Sequence, residues 1–305
     1  MLGSTGKARD KRKALRAGLN EGRLLRFPGA FSPLVGMLIE EMGFDGVYIS
    51  GAVLSADLGL PDIGLTTLTE VARRGHEIAR QTNLPAIIDA DTGFGEPMNA
   101  ARTVRMLEDL GLSGCHIEDQ VNPKRCGHLD HKSVVPVGDM VQRIRAAVSA
   151  RRDPDFIVIA RTDARAVEGF DAAVARARAY IEAGADVIFP EALLDLAEFK
   201  AFRAAISVPM LANMTEFGKS ELFSTRALAD AGASVVIYPV TTLRLAMGAV
   251  EEGLAVLRDS GTNAGLVNRM QSRQRLYDLL RYEDYNAFDS NVYNFKLDAP
   301  VEKKK

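Results

Sequence analysis

The amino-acid sequence predicts an α/β protein built as a (β/α)8 TIM-type barrel. Three observations lead there. Short β-type runs alternate with longer helical patterns about eight times along the chain, the number this barrel requires. Runs such as Val235-Val236-Ile237 are continuously apolar, as strands of a parallel sheet covered on both faces are. Polar residues close nearly every run, and the C-terminal ends of the strands are where such a barrel builds its site. A doubly wound open sheet shares the first two features, but the unbroken alternation to an eighth run favours the barrel.

Residues 1–26 read as a helical lead-in, with Leu15, Leu19, Leu24 and Leu25 set among Lys and Arg. The eight β-type runs are 25–31, 46–50, 86–91, 115–119, 156–163, 187–191, 209–214 and 234–239. The helices between them carry start and stop signals. Pro33 begins one that runs through Leu34, Leu38 and Met42 and stops at Gly43, the usual asymmetry of proline at the start and glycine past the end. Pro97 begins another, with Val104, Leu107 and Leu110 on one face and Gly111 after it. Residues 171–182 stop before Gly184, and residues 225–231 before Gly232. Beyond the eighth unit, residues 263–295 place Val267, Met270, Leu276, Leu279 and Leu280 at helical spacing, more apolar surface than a solvated tail needs. That extension is expected to close the barrel or pack on a neighbouring subunit. Residues 1–305 thus read as a single barrel domain with a lead-in and an extension, ending in a solvated Lys303-Lys304-Lys305.

Composition narrows the class. Of 305 residues, 47% are hydrophobic and 26% charged, and the formal net charge is -2. That balance gives no electrostatic reason to expect nucleic acid or an anionic membrane as partner. No apolar run approaches the ~18 residues a membrane span needs. Two cysteines, Cys115 and Cys126, make no disulfide framework, and the basic N-terminus lacks the apolar core of a signal peptide. A cytoplasmic protein is expected.

The stretch from Cys115 to His128 carries the densest chemistry. An apolar run ends in Glu118 and Asp119, and a loop follows that sets Cys126 among Lys124, Arg125 and His128. Neighbouring positive charge lowers a thiol's pKa and makes it a usable proton donor or nucleophile; a buried, inert cysteine is the bland alternative. The other runs end in Tyr48, Ser50 and Gly51, in Asp89 and Asp91, in Arg161 and Asp163, in Glu191, and in Asn213 and Thr215, with Arg244 just past the last. In a barrel these converge on one mouth. Acids gathered without a lysine or a zinc-type histidine set point to Mg2+, with Mn2+ as the other candidate, held by one or two carboxylates plus water. Arg161 and Arg244 suit substrate carboxylates.

Alternatives stand beside these readings. Asp89 and Asp91, two apart, face the same side of a strand and repel unless a cation sits there, yet one of them can instead cap the Gly93–Gly95 turn. Arg161 and Glu191 can simply pair. Cys126-Gly127-His128-Leu129-Asp130-His131 is a weak zinc pattern beside two cations. His116 reads as a core histidine and His76 as a surface or packing residue, and Gly93-Phe94-Gly95 lacks the third glycine of a dinucleotide fingerprint.

At Lys124-Arg125-Cys126-Gly127-His128, Asp89-Ala90-Asp91 and His116-Ile117-Glu118-Asp119-Gln120 the chain resembles the isocitrate lyase/phosphoenolpyruvate mutase superfamily, most of all its 2-methylisocitrate lyase branch, from about Phe27 to Leu280. The resemblance implies a homotetramer with C-terminal helices exchanged between subunits, and Mg2+-dependent cleavage of the C2–C3 bond of a tricarboxylate to pyruvate and succinate. It implies metal positions at Asp89 and Asp91, with Glu118 close by through water. It implies substrate contacts at Ser50, Gly51, Ala52, Asp62, Cys126, Gly127, His128, Arg161, Glu191, Asn213, Met214, Thr215, Arg244 and Arg273; Ala52 replaces a glycine common in the family. Cys126 would protonate the carbanionic carbon, Arg161 would stabilise the enediolate, and Tyr48 is the candidate base. Phe189 and Ile237 stand where isocitrate lyases carry a bulky Trp and a Thr; both are apolar, and the resemblance implies room for a methyl group. Isocitrate lyase, dimethylmalate lyase and carboxyphosphonoenolpyruvate mutase activities are the alternatives on the same scaffold. A non-catalytic carboxylate-binding barrel is the alternative from another class, and a thiol acid argues against it.

Overall fold

The computed structural model describes residues 6–125 and 132–294, which divide into two compact units, 6–251 and 252–294. The first holds a closed barrel of eight parallel strands: β1 (Leu25–Pro28), β2 (Val47–Ile49), β3 (Ala86–Asp89), β4 (Gly114–Glu118), β5 (Ile157–Thr162), β6 (Val187–Pro190), β7 (Leu211–Asn213) and β8 (Val235–Tyr238). Strands β2 to β6 pair in sequence order, and β1 and β7 flank β8. Two parallel bridges join these sheets: Gly29 with Tyr48, where Ala30 N donates to Tyr48 O at 2.9 Å, and Ile188 with Met210. The ring is thereby complete, and each of the eight expected runs supplies one strand.

Two apolar layers follow from strand alternation. Leu25, Phe27, Tyr48, Ile87, Ile159, Phe189, Leu211 and Ile237 point into the barrel; Val47, Ile49, Ile88, Cys115, Ile117, Val158 and Val236 face the helices. The lead-in is one helix, α1 (Ala8–Asn20), which adds Leu15 and Leu19 to the interior layer. Its buried cations are satisfied by carbonyls: Lys11 Nζ donates to Ala79 O at 2.9 Å and Arg12 Nε to Leu112 O at 2.9 Å.

Local signals set the helix ends. Helix α2 (Pro33–Glu41) has Pro33 in its first turn and is followed by Gly43 at φ +73°, a backbone that favours glycine. Two short helices were not read from the sequence. Helix α3 (Gly51–Asp57) follows β2 directly, ahead of α4 (Leu68–Ala79), whose Thr67 and Glu70 form a capping box. Helix α7 (Ala164–Val167) precedes α8 (Phe170–Glu182). Outer helices α5 (Pro97–Asp109), α6 (Val137–Ala150), α9 (Leu196–Ala205) and α10 (Thr225–Asp230) complete the ring before α11 (Thr241–Ser260).

The second unit takes the end of α11, a 3-10 turn (Ala264–Arg269), α12 (Arg273–Leu279) and α13 (Tyr282–Tyr293). The helical expectation for 263–295 holds through 294, broken by Arg281 at φ +54°. Among the described residues no helix is long and apolar enough to cross a membrane.

Candidate active site

Turn geometry, more than strand alternation, aligns the acids of β3. The strand ends at Asp89, and Asp91 lies beyond it at φ +46°. The expectation that strand period puts both side chains on one face is corrected here: the left-handed turn brings Asp91 round. Asp89 Oδ1 also accepts from Asp91 N at 2.9 Å, a bond that holds the chain reversal just after the strand rather than the Gly93–Gly95 turn. Gly51 faces both carboxylates. A Cβ there would lie 2.8 Å from Asp89 Oδ2 and 3.3 Å from Asp91 Oδ1, so a side chain at this position would crowd both carboxylates.

Lys124 stands among these acids. Its side chain is buried, and its ammonium pairs with Asp62 and lies 2.8 Å from Asp91 Oδ1. Burial alone would push it toward neutrality, but Glu118, Asp89, Asp91 and Asp62 together hold it charged. The sequence reading used Lys124 only as a neighbour of the Cys126 thiol and expected the acids to gather without a lysine; that is corrected here, because the fold buries this ammonium among them and its charge is taken up by carboxylates. The Asp91 carboxyl is pushed up to about 6, chiefly by burial, with Lys124 opposing and Asp89 reinforcing.

Arg161 is held in a cage of carboxylates. Its Nε lies 3.0 Å from Asp163 Oδ2 and 3.3 Å from Glu118 Oε2, and its Nη2 lies 3.2 Å from Asp163 Oδ1 and 3.2 Å from Glu191 Oε2. The guanidinium lies over the Phe189 ring, 5.1 Å from its centroid. The pairing with Glu191 that the sequence left open is therefore present. Asp163, fully buried, also holds Lys132 at 2.8 Å. Burial raises Glu118 well above the usual carboxylate range, with Arg161 and Lys124 opposing.

Tyr48 and His116 form a buried pair, hydroxyl to Nε2 at 2.7 Å, and His116 Nε2 lies 3.6 Å from Asp89 Oδ1. Burial lowers His116 to about 4 and raises Tyr48 well above 10, so the imidazole is neutral and the phenol keeps its proton. His116 is thus a core histidine, as expected, but one whose ring reaches the site. His76 packs, its Nδ1 2.8 Å from Leu110 O.

The cavity at the C-terminal strand ends measures about 50 Å³ and is lined by Tyr48, Ser50, Ala52, Asp62, Asp89, Lys124, Arg125, Arg161, Phe189, Glu191, Asn213 and Thr215. Half of the site residues expected from sequence line it; Gly51, Asp91 and Glu118 stand beside Asp89 and Arg161 without lining it. Others do not line it either. Met214 is buried, its sulfur accepting from Phe223 N at 3.3 Å. Ile237 belongs to the interior layer. Asp119, expected at the mouth, points the other way because it follows Glu118 by one residue; it accepts from Thr162 Oγ1, Asp163 N and Tyr180 Oη at 2.7, 2.9 and 2.8 Å. Arg244 bonds Thr215 at 3.4 Å, and Arg273 opens α12 in the second unit. Cys126, Gly127 and His128 lie outside the described residues. The other thiol, Cys115, is buried and pushed up to about 12, chiefly by burial. A larger cavity of about 760 Å³ lies away from these groups, lined by Phe31, Val35, Leu38, Met42 and Leu245.

Among the described residues no three acids, histidines or cysteines converge closely enough to ligate one ion. Mg2+ needs fewer, taking one or two carboxylates with water completing its shell. The donors present suit it: all are oxygens, and Glu118 Oε1 is buried without a hydrogen-bond partner among the described residues.

Comparison with known proteins places this geometry. Residues 15–258 match the phosphoenolpyruvate phosphomutase family. A probable 2-methylisocitrate lyase of Corynebacterium glutamicum is 61% identical, over 95% of this chain and 94% of its own. This chain belongs to the isocitrate lyase/phosphoenolpyruvate mutase superfamily. It is an enzyme, a carbon–carbon lyase of that superfamily. A 2,3-dimethylmalate lyase superposes with a TM-score of 0.87 at 32% identity, covering 98% of this chain and 100% of its own. A phosphonopyruvate hydrolase solved with oxalate and Mg2+ superposes at 0.85 with 32% identity, covering 93% of this chain and 99% of its own.

Proposed function

We propose that the lyase cleaves the C2–C3 bond of 2-methylisocitrate to pyruvate and succinate, with Mg2+ or Mn2+, in the cytoplasm, within propionate catabolism by the methylcitrate cycle. The observation that carries this is the meeting of Asp89, Lys124, Arg161 and the Tyr48–His116 pair at one barrel mouth.

Asp89 and Asp91 would hold the metal, with Glu118 close behind. Bound there, it would supply positive charge where the substrate hydroxyl and adjacent carboxylate become anionic. Ser50, Gly51 and Ala52 cradle the pyruvyl carboxylate. Tyr48 takes the C2 hydroxyl proton as it passes its own to the neutral His116 Nε2, which answers the difficulty of a protonated phenol acting as base. The C2–C3 electron pair moves onto the succinyl fragment as an enediolate, and Arg161 stabilises that charge. The Cys126 thiol then protonates the carbon, and return of the proton from His116 resets the thiolate. Asp62, Gly127, His128, Glu191, Asn213, Thr215 and Arg244 complete the substrate contacts; Met214, packed with its sulfur on Phe223 N, falls outside them.

The reading is tested by incubating the protein and Mg2+ separately with 2-methylisocitrate and isocitrate. Pyruvate is expected from the first, with little glyoxylate from the second. Glyoxylate from isocitrate at equal or greater rate would assign the isocitrate lyase activity instead; inactivity toward both would turn attention to dimethylmalate and phosphono-acid substrates. Phe189 lines the cavity whereas Ile237 does not, so Phe189 carries the methyl discrimination. Phe189→Trp is expected to shift the kcat/KM ratio toward isocitrate by about tenfold or more; an unchanged ratio, measured on both substrates, would remove Phe189 from the pocket.

The assembly we propose is a homotetramer in which the barrel domain, with its lead-in, exchanges the 263–295 extension with a neighbour. Exposed apolar residues on α11, among them Leu245, Met247, Val250 and Leu254, and on α13, among them Phe288 and Val292, support it, since contiguous apolar surface marks an interface.

A further inference from the structure

The connection between β7 and α10 carries two features that the chemistry above leaves unused. Phe217 is 95% exposed and sits at φ +60°, a left-handed backbone that bulky residues rarely adopt. Glu216, beside it, aims its carboxylate at Arg244. Three oxygens converge on one atom of that guanidinium: Nη1 donates to Glu216 Oε2 at 2.6 Å, to the Glu216 carbonyl at 2.9 Å and to Thr215 Oγ1 at 3.4 Å. The second carboxylate oxygen of Glu216 accepts from the Thr241 hydroxyl. The Phe217 ring covers the guanidinium, 5.3 Å from Cζ to the ring centroid. Among the described residues no hydrogen bond to Nε or Nη2 of Arg244 is formed. Thr215 lines the barrel-mouth cavity, so the guanidinium stands at its rim.

An exposed ion pair of this kind contributes little to stability, so stability does not explain why a strained aromatic and an acid are placed here. Preorganisation does. A free arginine loses rotamer freedom when it captures an anion, whereas one already gripped at Nη1 has lost that freedom beforehand. The remaining Nε and Nη2 donors form the side of the planar fork that matches a carboxylate bidentately.

We propose that Glu216 is a positioning residue for Arg244: with Thr241 behind it and Phe217 above, it holds Nη1 so that the Nε and Nη2 donors await a carboxylate of the substrate. This rests on Arg244 being a carboxylate fork, and the experiment separates the two ideas. Succinate binding to the full-length protein with Mg2+ is measured by calorimetry for wild type, Glu216→Ala, Glu216→Gln, Arg244→Met and the Glu216→Ala/Arg244→Met double variant. Glu216→Ala should weaken binding about tenfold, and with the cleaved tricarboxylate its KM should rise more than its kcat falls. Glu216→Gln keeps an acceptor oxygen and should recover most of the affinity. On the Arg244→Met background the Glu216→Ala change should add nothing. If Arg244→Met weakens succinate binding while Glu216→Ala binds as well as wild type or better, the holder is refuted and the carboxylate fork stands. If Arg244→Met itself binds normally, the fork reading falls and the holder with it.

Discussion

Replacing Arg161 by Met should destabilise the metal-free protein by about 3–5 kcal/mol at pH 7, and by distinctly less at pH 5. The guanidinium is the shared counter-charge of Glu118, Asp163 and Glu191, all buried. Burial penalises the charged form of Asp163, yet Arg161 and then Lys132 hold its carboxyl below the usual range. In the wild type, Asp163 therefore contributes stability at neutral pH that is lost as pH falls through its folded pKa. Removing Arg161 reverses that sign: the acids then rise above their unfolded values near 4, so the folded state binds protons the unfolded state does not. Stability then falls as pH rises, and acidification offsets part of the loss. Urea midpoints of both proteins at pH 5 and pH 7 check this. An equal shift at both pH values would mean that the three acids do not depend on Arg161. Arg161→Lys should recover little, because a single ammonium cannot serve Asp163, Glu118 and Glu191 along two edges of a planar fork.

The eight strands were legible because each is a short apolar run closed by polar residues, and the barrel was legible over an open sheet because the alternation runs unbroken to an eighth. The approximate location of the site was legible for the same reason, since polar strand ends in a barrel share one mouth. What alternation alone implied was less reliable. It would have turned Asp119 away from Glu118, as happens, had it been applied at that position. Applied to Asp89 and Asp91 it led to the right juxtaposition for the wrong reason, because a left-handed residue, not a pleat, aligns them. Lys124 was harder to place. Its sequence neighbours are Arg125 and the thiol, while its ammonium reaches back to Asp62, 62 residues earlier in the chain, and no local pattern encodes that reach. Asp163 and Lys132 likewise meet only through the fold, as do Glu216 and Arg244.

Stripping divalent cations with EDTA should reduce turnover to background, and added Mg2+ should restore it. The loss is expected to be near complete because breaking the C2–C3 bond builds negative charge on the substrate hydroxyl, and the two buried cations of the site are already engaged. Arg161 is surrounded by acids, and Lys124 is paired with Asp62 and Asp91. Affinity for the ion should also depend on pH in a defined direction. A metal-binding carboxyl must lose its proton, and Asp91 is pushed up to about 6, first by burial, with Lys124 lowering it and Asp89 raising it. Above pH 6 Asp89 and Asp91 are both ionised and Mg2+ binding to them should be level. Below it a proton must leave with each ion bound, so affinity should fall by about tenfold per pH unit. Asp91→Asn should abolish that slope together with most of the affinity, whereas Asp62→Asn, which touches Lys124 and not the two central acids, should weaken binding far less. Calorimetric titration of Mg2+ from pH 5 to pH 8 separates these outcomes. An affinity that stays flat across the range, or turnover that persists in EDTA, would move the metal away from Asp91 and leave the Lys124 ammonium as the permanent counter-charge of that carboxylate.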